Sequence, residues 1–165
     1  GTGAIGSRVA ELCHLFGCEI AAYDLFPKKN APEYLHYGTL EEVLSKSDIV
    51  TLHCPLTEDS RNLINQDRIA QMKKGAILIN AARGPIVDSK ALADALNSGY
   101  LRGAGVDVFE MEPPLPMDHP LLHSINTIVT PHIAFASDES MEIRAEIVFE
   151  NIQKWMNKEQ VNIIL

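Results

Sequence analysis

The stretch Gly1-Thr-Gly-Ala-Ile-Gly6 opens the chain and decides the fold, because glycines at this GxGxxG spacing are typical of a dinucleotide-binding turn. The first glycine permits a tight turn, the second lets backbone approach a pyrophosphate, and the third lets a helix pack closely on a strand. The apolar residues that follow recur every three or four positions up to Phe16, which predicts an amphipathic helix ended by Gly17. The positive end of that helix would face the anion.

An acidic residue follows the turn at the distance that ribose recognition requires. Residues 19–23 form a short apolar run typical of a buried strand, and Asp24 comes eighteen residues after Gly6. A carboxylate there can accept hydrogen bonds from ribose hydroxyls, and its charge would repel a 2′-phosphate. The sequence therefore predicts NAD rather than NADP. Two alternatives stay open: Asp24 as an ordinary solvated acid, and tolerance of the phosphate through Lys28 and Lys29.

Apolar runs alternate with helical patterns along the rest of the chain. The predicted strands cover residues 19–23, 48–53, 76–80, 103–108 and 126–130, and the predicted helices cover about 5–16, 40–46, 66–73, 89–98 and 138–157. This order predicts an α/β fold with a doubly wound, mostly parallel sheet covered by helices on both faces. Because no strand precedes Gly1, we expect the sheet to lack its usual first strand and the chain to be a piece of a longer protein.

Composition and charge argue against several classes of protein. The 165 residues are 46% hydrophobic and 22% charged, as in ordinary globular proteins. A net charge of −8 argues against a nucleic-acid-binding surface. No apolar run approaches the roughly 20 residues that span a bilayer, and we find no signal peptide. Three cysteines without CxxC spacing argue against a disulfide framework or a zinc site, so we expect a cytoplasmic protein without a metal.

Charged side chains follow two neighbouring predicted strands, where parallel sheets bind their ligands. Arg83 comes after strand 76–80, and its planar guanidinium offers two parallel donors to a substrate carboxylate. An arginine bonded to its own loop or to Asp88 is the alternative. Asp107 stands at the end of strand 103–108, 24 residues after Arg83, and could hold a cofactor amide or ribose.

A histidine with a carboxylate partner would complete the chemistry. His132 follows strand 126–130 and a proline, and a nearby carboxylate would poise its imidazole as an acid/base near neutral pH. Glu110 and Glu112 lie two residues apart, and their spacing does not say which is the functional one. A lone histidine is more often structural. Together with Arg83 and a nicotinamide cofactor, these groups predict hydride transfer to or from a 2-oxo or 2-hydroxy acid.

The chain resembles the D-isomer-specific 2-hydroxyacid dehydrogenases, a family that includes phosphoglycerate dehydrogenase and hydroxypyruvate/glyoxylate reductase. The likeness rests on an ordered set of motifs: the glycine turn, Asp24, His53-Cys-Pro-Leu-Thr57, Asn80-Ala-Ala-Arg-Gly-Pro-Ile-Val-Asp88, Gly105-Val-Asp-Val-Phe-Glu-Met-Glu-Pro113 and Thr130-Pro-His132. The resemblance implies a Rossmann NAD-binding domain over residues 1–157. It also implies that residues 158–165 begin the return segment to an absent substrate domain.

The same resemblance implies a role for each candidate residue. Arg83 would be the substrate-binding catalytic arginine, His132 the acid/base, and Glu112 its carboxylate partner in preference to Glu110. The implied cofactor contacts are Gly1, Gly3, Ala4, Ile5, Gly6, Asp24, Cys54, Pro55, Ser60, Ala81, Arg83, Asp107 and His132. For Cys54, a small buried residue without thiol chemistry is the alternative. The family also implies homodimers formed through the cofactor domain.

Three further expectations concern substrate, rival function and stability. Residues 133–137 stand where many family members carry a glycine pair after the histidine, and Phe135 would narrow that edge and shift substrate choice. An NAD(H)-sensing protein similar to the carboxyl-terminal-binding corepressors, without significant turnover, is the alternative function. A methyl-transfer domain would have no use for the Arg83, Glu112 and His132 set. Without a first strand and a substrate lobe, we expect the isolated chain to be marginally stable and nearly inactive.

Overall fold

The computed structural model describes residues 1–111 and 114–163, and the chain divides into two compact units, Gly1–Pro131 and His132–Leu165. The strands are β1 (Ile20–Ala22), β2 (Leu35–Tyr37), β3 (Ile49–Leu52), β4 (Ile77–Asn80), β5 (Gly103–Val106) and β6 (Thr127–Val129). The helices are α1 (Ala4–Leu15), α2 (Leu40–Lys46), α3 (Gln66–Gln71), α4 (Ser89–Asn97) and α5 (Asp138–Met156), with 3₁₀ turns at Gly84–Ile86 and Pro120–Leu122.

All strand pairs in the described part of the chain are parallel. β1 pairs with β2, and a separate four-stranded sheet runs in the order β3-β4-β5-β6. Leu52 lies opposite Asn80, Asn80 opposite Val106, and Val106 opposite Val129, so the four strands end at one level. The predicted parallel α/β fold is confirmed, and it is Rossmann-like. The residues that follow these strands therefore emerge at one edge of the sheet.

The core of the first unit lies between the four-stranded sheet and its helices. Leu78 of β4 is fully buried, as are Leu92 and Leu96 of α4, which recur at the four-residue spacing of one helix face. Helix starts follow their side-chain caps: Asn65 and Asp88 accept the backbone N–H groups of Arg68 and Ala91. These caps fix where the loops after the preceding strands end.

The structure differs from the predicted elements in one strand and several ends. The strand β2 was not predicted, because three residues among polar neighbours carry too short a pattern to read. The helix α3 ends at Gln71 and not at Lys73, because Met72 is extended and its side chain is buried. The strand β5 ends at Val106 and not at residue 108, although the backbone N–H of Asp107 still bonds to the Asn80 carbonyl.

The second unit contains α5, which begins as predicted after Ser137. The Ser137 hydroxyl accepts the N–H of Ser140, and the Ser140 hydroxyl accepts the N–H of Ser137, so each serine caps the other's backbone. Asp138 and Glu139 occupy the first turn, where their charge favours the helix dipole. Among the described residues, no helix is long and apolar enough to cross a membrane.

Candidate functional site

The glycine turn packs directly on the residues after β3. A Cβ at Gly1 would lie 2.7 Å from the His53 carbonyl oxygen, and one at Gly6 would lie 2.1 Å from the Gly1 carbonyl oxygen. Side chains at either position would push the turn away from the sheet. Gly3 differs, because a Cβ there would meet no atom within 4 Å. The backbone at Gly3 therefore faces open space that a ligand can approach.

The start of α1 suits an anion. Gly3 is the N-cap and supplies no side-chain hydrogen bond, and the first turn holds no acidic residue. Ala4 and Ile5 form that turn, and the Ile5 side chain is 71% exposed. The helix N–H groups at this end are thus left to an outside acceptor, as in pyrophosphate sites. These features fit the pyrophosphate of NAD.

Asp24 fastens the glycine turn to the end of β1. Its Oδ2 accepts the backbone N–H of Thr2 at 2.5 Å and the Thr2 hydroxyl at 2.9 Å, and its Oδ1 accepts the N–H of Phe26 at 2.8 Å. Burial opposes the charge, but the hydrogen bonds from the backbone of Phe26 and Thr2 hold the pKa of the Asp24 carboxyl below its ordinary value. An ionised carboxylate accepts about four hydrogen bonds, so roughly one position is left for a ribose hydroxyl.

The residues after β3 provide a neutral, partly buried wall beside the glycine turn. Burial lowers the pKa of His53 and raises the pKa of the Cys54 thiol, so both side chains are uncharged at neutral pH. The buried Ser60 hydroxyl donates to the Pro55 carbonyl at 2.8 Å and accepts the Thr57 N–H at 2.7 Å. Cys54 and Pro55 remain candidates for contact with the cofactor, whereas the Ser60 side chain already serves its own loop.

Asn80 shapes the loop that carries Arg83. The Asn80 side chain is 1% exposed, its Nδ2 donates to the Arg83 carbonyl at 3.1 Å, and its Oδ1 accepts the Ala82 N–H at 3.1 Å. Ala81 and Arg83 are exposed. The guanidinium donates to the Ala82 carbonyl at 2.6 Å, which is the loop contact that the sequence left open. Asp88, the other alternative partner for Arg83, accepts the Ala91 N–H as the N-cap of α4.

Asp107 lies beside this loop at the same edge of the sheet. Its backbone N–H donates to the Asn80 carbonyl at 3.0 Å, and its Oδ1 accepts the Thr130 hydroxyl at 2.5 Å. The side chain is 5% exposed. The ends of β4, β5 and β6 therefore meet around Asn80, Asp107 and Thr130.

The two candidate glutamates stand differently. Glu112 lies outside the described residues. Glu110 already has partners: its Oε2 accepts the Ser89 hydroxyl at 2.8 Å, and its Oε1 lies 3.1 Å from Nε2 of the buried His119. The sequence analysis did not identify the bond of His119 to Glu110 or the role of Asn80 in ordering its loop. The signals in the sequence were weak: His119 precedes a proline, and Asn80 ends a strand.

His132 is the first residue of the second unit. It has a left-handed backbone with φ of 57°, a conformation that non-glycine residues rarely adopt and that occurs near functional sites. Its ring meets that of Phe135 edge to face with centroids 6.0 Å apart, and the Arg144 guanidinium lies 5.2 Å from the centroid of Phe135. Phe135 thus contacts the candidate acid/base directly.

Among the described residues, no group of three or more His, Cys, Asp or Glu side chains is arranged to hold a metal ion. In the first unit, the glycine turn, Asp24 and Arg83 offer groups that can bind an anion, a ribose and a carboxylate. His132, in the second unit, is a candidate acid/base by its chemistry, and these are the kinds of group that a nicotinamide-dependent reaction uses.

Comparison with known proteins gives consistent matches. Residues 1–134 match the family described as D-isomer specific 2-hydroxyacid dehydrogenase, NAD binding domain. Hydroxypyruvate reductase of Blautia hydrogenotrophica is 38% identical over 165 residues, covering 99% of this chain and 51% of that protein. Glyoxylate reductase of Korarchaeum cryptofilum is 44% identical over 154 residues, covering 92% of this chain and 46% of that protein.

Solved structures show the same likeness. The D-lactate dehydrogenase of Aquifex aeolicus, complexed with NAD and lactic acid, superposes with a TM-score of 0.88 and is 36% identical, covering 96% of this chain and 52% of that one. The chain spans about half the length of the curated relatives that it matches.

Proposed function

Since the chain belongs to the D-isomer specific 2-hydroxyacid dehydrogenases and comprises their NAD-binding domain, we propose that it serves an oxidoreductase acting on a small D-2-hydroxy acid or its 2-oxo acid. The observation that carries the proposal is the shared edge of the sheet. There the glycine turn packs on His53, and the Asn80-braced loop presents an exposed Arg83 beside Asp107. NAD, when bound, supplies or accepts the hydride.

The proposed roles follow from the chemistry of each group. Arg83 binds the substrate carboxylate through its two-pronged guanidinium. His132 takes or gives the proton at the substrate hydroxyl, and Glu112 holds its imidazole in orientation. Asp107 faces the nicotinamide end, whereas the start of α1 and Asp24 face the pyrophosphate and the adenosine ribose. Homodimerisation and a cytoplasmic location remain predictions from sequence.

The test is turnover by the full-length protein. We expect oxidation of NADH with hydroxypyruvate, glyoxylate, pyruvate or 3-phosphohydroxypyruvate, followed at 340 nm, and weaker activity with NADPH. The variant His132→Asn should lower kcat about 10²–10⁴-fold, because it removes the acid/base while asparagine tolerates a left-handed backbone. Arg83→Gln should raise KM for the 2-oxo acid and lower kcat.

Controls separate this function from its alternative. Exchange of the exposed Arg102 to Gln removes a cation from the same unit and should leave turnover unchanged. Wild-type turnover that survives both His132→Asn and Arg83→Gln would contradict the assigned roles. NADH binding without turnover on any of the four acids would favour the NAD(H)-sensing protein.

A further inference from the structure

A carboxylate–histidine pair lies outside the groups assigned to the reaction. The His119 side chain is only 3% exposed, and its Nε2 lies 3.1 Å from Oε1 of Glu110. The other carboxylate oxygen of Glu110 accepts the Ser89 hydroxyl at 2.8 Å. Burying an imidazole is costly unless both ring nitrogens have hydrogen-bond partners, so we ask which partners His119 has and what they hold in place.

The hydrogen bonds of His119 define which ring nitrogen carries the proton and which two segments the ring connects. Its Nδ1 accepts the backbone N–H of Leu121 at 3.3 Å, which assigns the proton to Nε2 as the donor to Glu110. The ring of Phe109 packs against it edge to face, with centroids 5.3 Å apart. The imidazole therefore joins the turn at Pro120–Leu122 to the loop that follows β5.

That loop presses on the residue next to Arg83. A Cβ at Gly84 would lie 1.8 Å from the carbonyl carbon and oxygen of Phe109, so the two backbones are in direct contact. Ser89 begins α4 and is bonded to Glu110. The loop after β5 thus holds both ends of the segment 84–89: at Gly84 by packing, and at Ser89 by a hydrogen bond.

From this arrangement we propose that Glu110 and His119 are positioning residues that fix Arg83 through the segment 84–89. The inference rests on the proposed function, since Arg83 is the group whose placement matters there. Neither residue is assigned a contact with substrate or cofactor. A displacement of about 1 Å in a substrate-binding group can cost about 10²-fold in rate. We call the bonded pair Glu110–His119 the clamp, and we expect its loss to lower the rate by displacing Arg83.

Two replacements of His119 separate positioning from simple support of the turn. In His119→Gln the side-chain amide reaches the place of Nε2 and can donate to Glu110, but nothing replaces Nδ1. In His119→Asn the side-chain oxygen takes the place of Nδ1 and can accept from Leu121, but the donor to Glu110 is lost. We expect the Gln variant to keep kcat within about threefold of wild type, and the Asn variant to lose roughly tenfold or more.

The readout is the kinetic split in the full-length protein together with hydrogen exchange. We expect His119→Asn to lower kcat and to raise KM for the 2-oxo acid, with little change in the Kd for NADH. The amides of residues 84–89 should exchange faster in the Asn variant than in the Gln variant. His123→Asn is the matched control, because the His123 side chain is exposed and its Nε2 bonds to the Met117 carbonyl at 2.6 Å.

The outcomes distinguish this inference from the proposed function. Equal losses in both His119 variants, or a greater loss in Gln than in Asn, would overturn the positioning role. If wild type reduces none of the acids, the proposed function fails, and the exchange rates at 84–89 still decide whether the clamp exists. If His119→Asn does not fold, the comparison of Glu110→Leu with Glu110→Gln is the test. Equal hydrogen exchange at residues 84–89 and equal turnover in those two variants would refute the positioning role.

Discussion

Replacement of Asn80 by alanine tests whether the geometry of the Arg83 loop matters to the reaction. The change removes the donor to the Arg83 carbonyl and the acceptor of the Ala82 N–H. The Arg83 carbonyl keeps a second partner, the N–H of Ile86 at 3.3 Å, whereas the Ala82 N–H is left without the acceptor shown here. A buried unsatisfied N–H costs about 1–3 kcal/mol and a lost hydrogen bond about 1 kcal/mol. We therefore expect the free energy of unfolding to fall by about 2–4 kcal/mol.

Urea unfolding followed by circular dichroism measures the loss of stability, and kcat/KM for a 2-oxo acid measures the effect on the reaction. We expect a loss of at least about tenfold in kcat/KM at concentrations where the variant is folded, since Arg83 is no longer held. Asn97→Ala is the control, because the Asn97 side chain accepts the Ile125 N–H at the far end of α4. An Asn80 variant that loses stability but keeps full turnover would refute the reasoning that this loop orients the substrate.

Two further predictions concern the glycine beside Arg83 and the acid after β1. Gly84→Ala should lower both stability and turnover, because its Cβ would lie 1.8 Å from Phe109 backbone atoms; soluble, fully active protein would contradict this. Because hydrogen bonds from Thr2 and Phe26 outweigh burial and depress the pKa of Asp24, its charge stabilises the fold above the ordinary carboxyl pKa, near 4. That stabilisation is lost as pH falls through the lower, folded pKa. Asp24→Asn should therefore flatten the acid limb of stability against pH, and fluorescence titration should show weaker NADH binding; an unchanged acid limb would count against the bonds to Thr2.

Regular features of this fold could be predicted because they depend on local chemistry. The helix starts predicted near residues 66, 89 and 138 are confirmed, and there Asn65, Asp88 and Ser137 accept backbone N–H groups of the first helical turn. The parallel order of the strands follows from their alternation with helices. In contrast, β2 is held by its pairing with β1, and a three-residue hydrophobic pattern is too short to predict that pairing.

Side chains whose partners are distant in sequence could not be assigned in the same way. The bond between Glu110 and His119 spans nine residues of irregular loop, and no spacing rule relates its two ends. Asn80 looks like one more polar residue at a strand end, although its amide organises the turn that follows. The placement of Arg83 and Asp107 at one edge of the sheet was predictable, because residues that follow parallel strands leave the sheet at the same edge.

The three hydrogen bonds that Asp24 already accepts have a consequence for cofactor choice. With roughly one acceptor position left, the carboxylate can take a single ribose hydroxyl, and not the paired contact that would recognise both hydroxyls at once. Discrimination against a 2′-phosphate must then come mainly from repulsion between two negative charges in a partly solvated place. Such repulsion is screened over about 8 Å at physiological ionic strength and over shorter distances in stronger salt. The preference for NAD over NADP that the sequence predicts should consequently narrow as salt is added, so a selectivity measured in dilute buffer would overstate the value at higher salt.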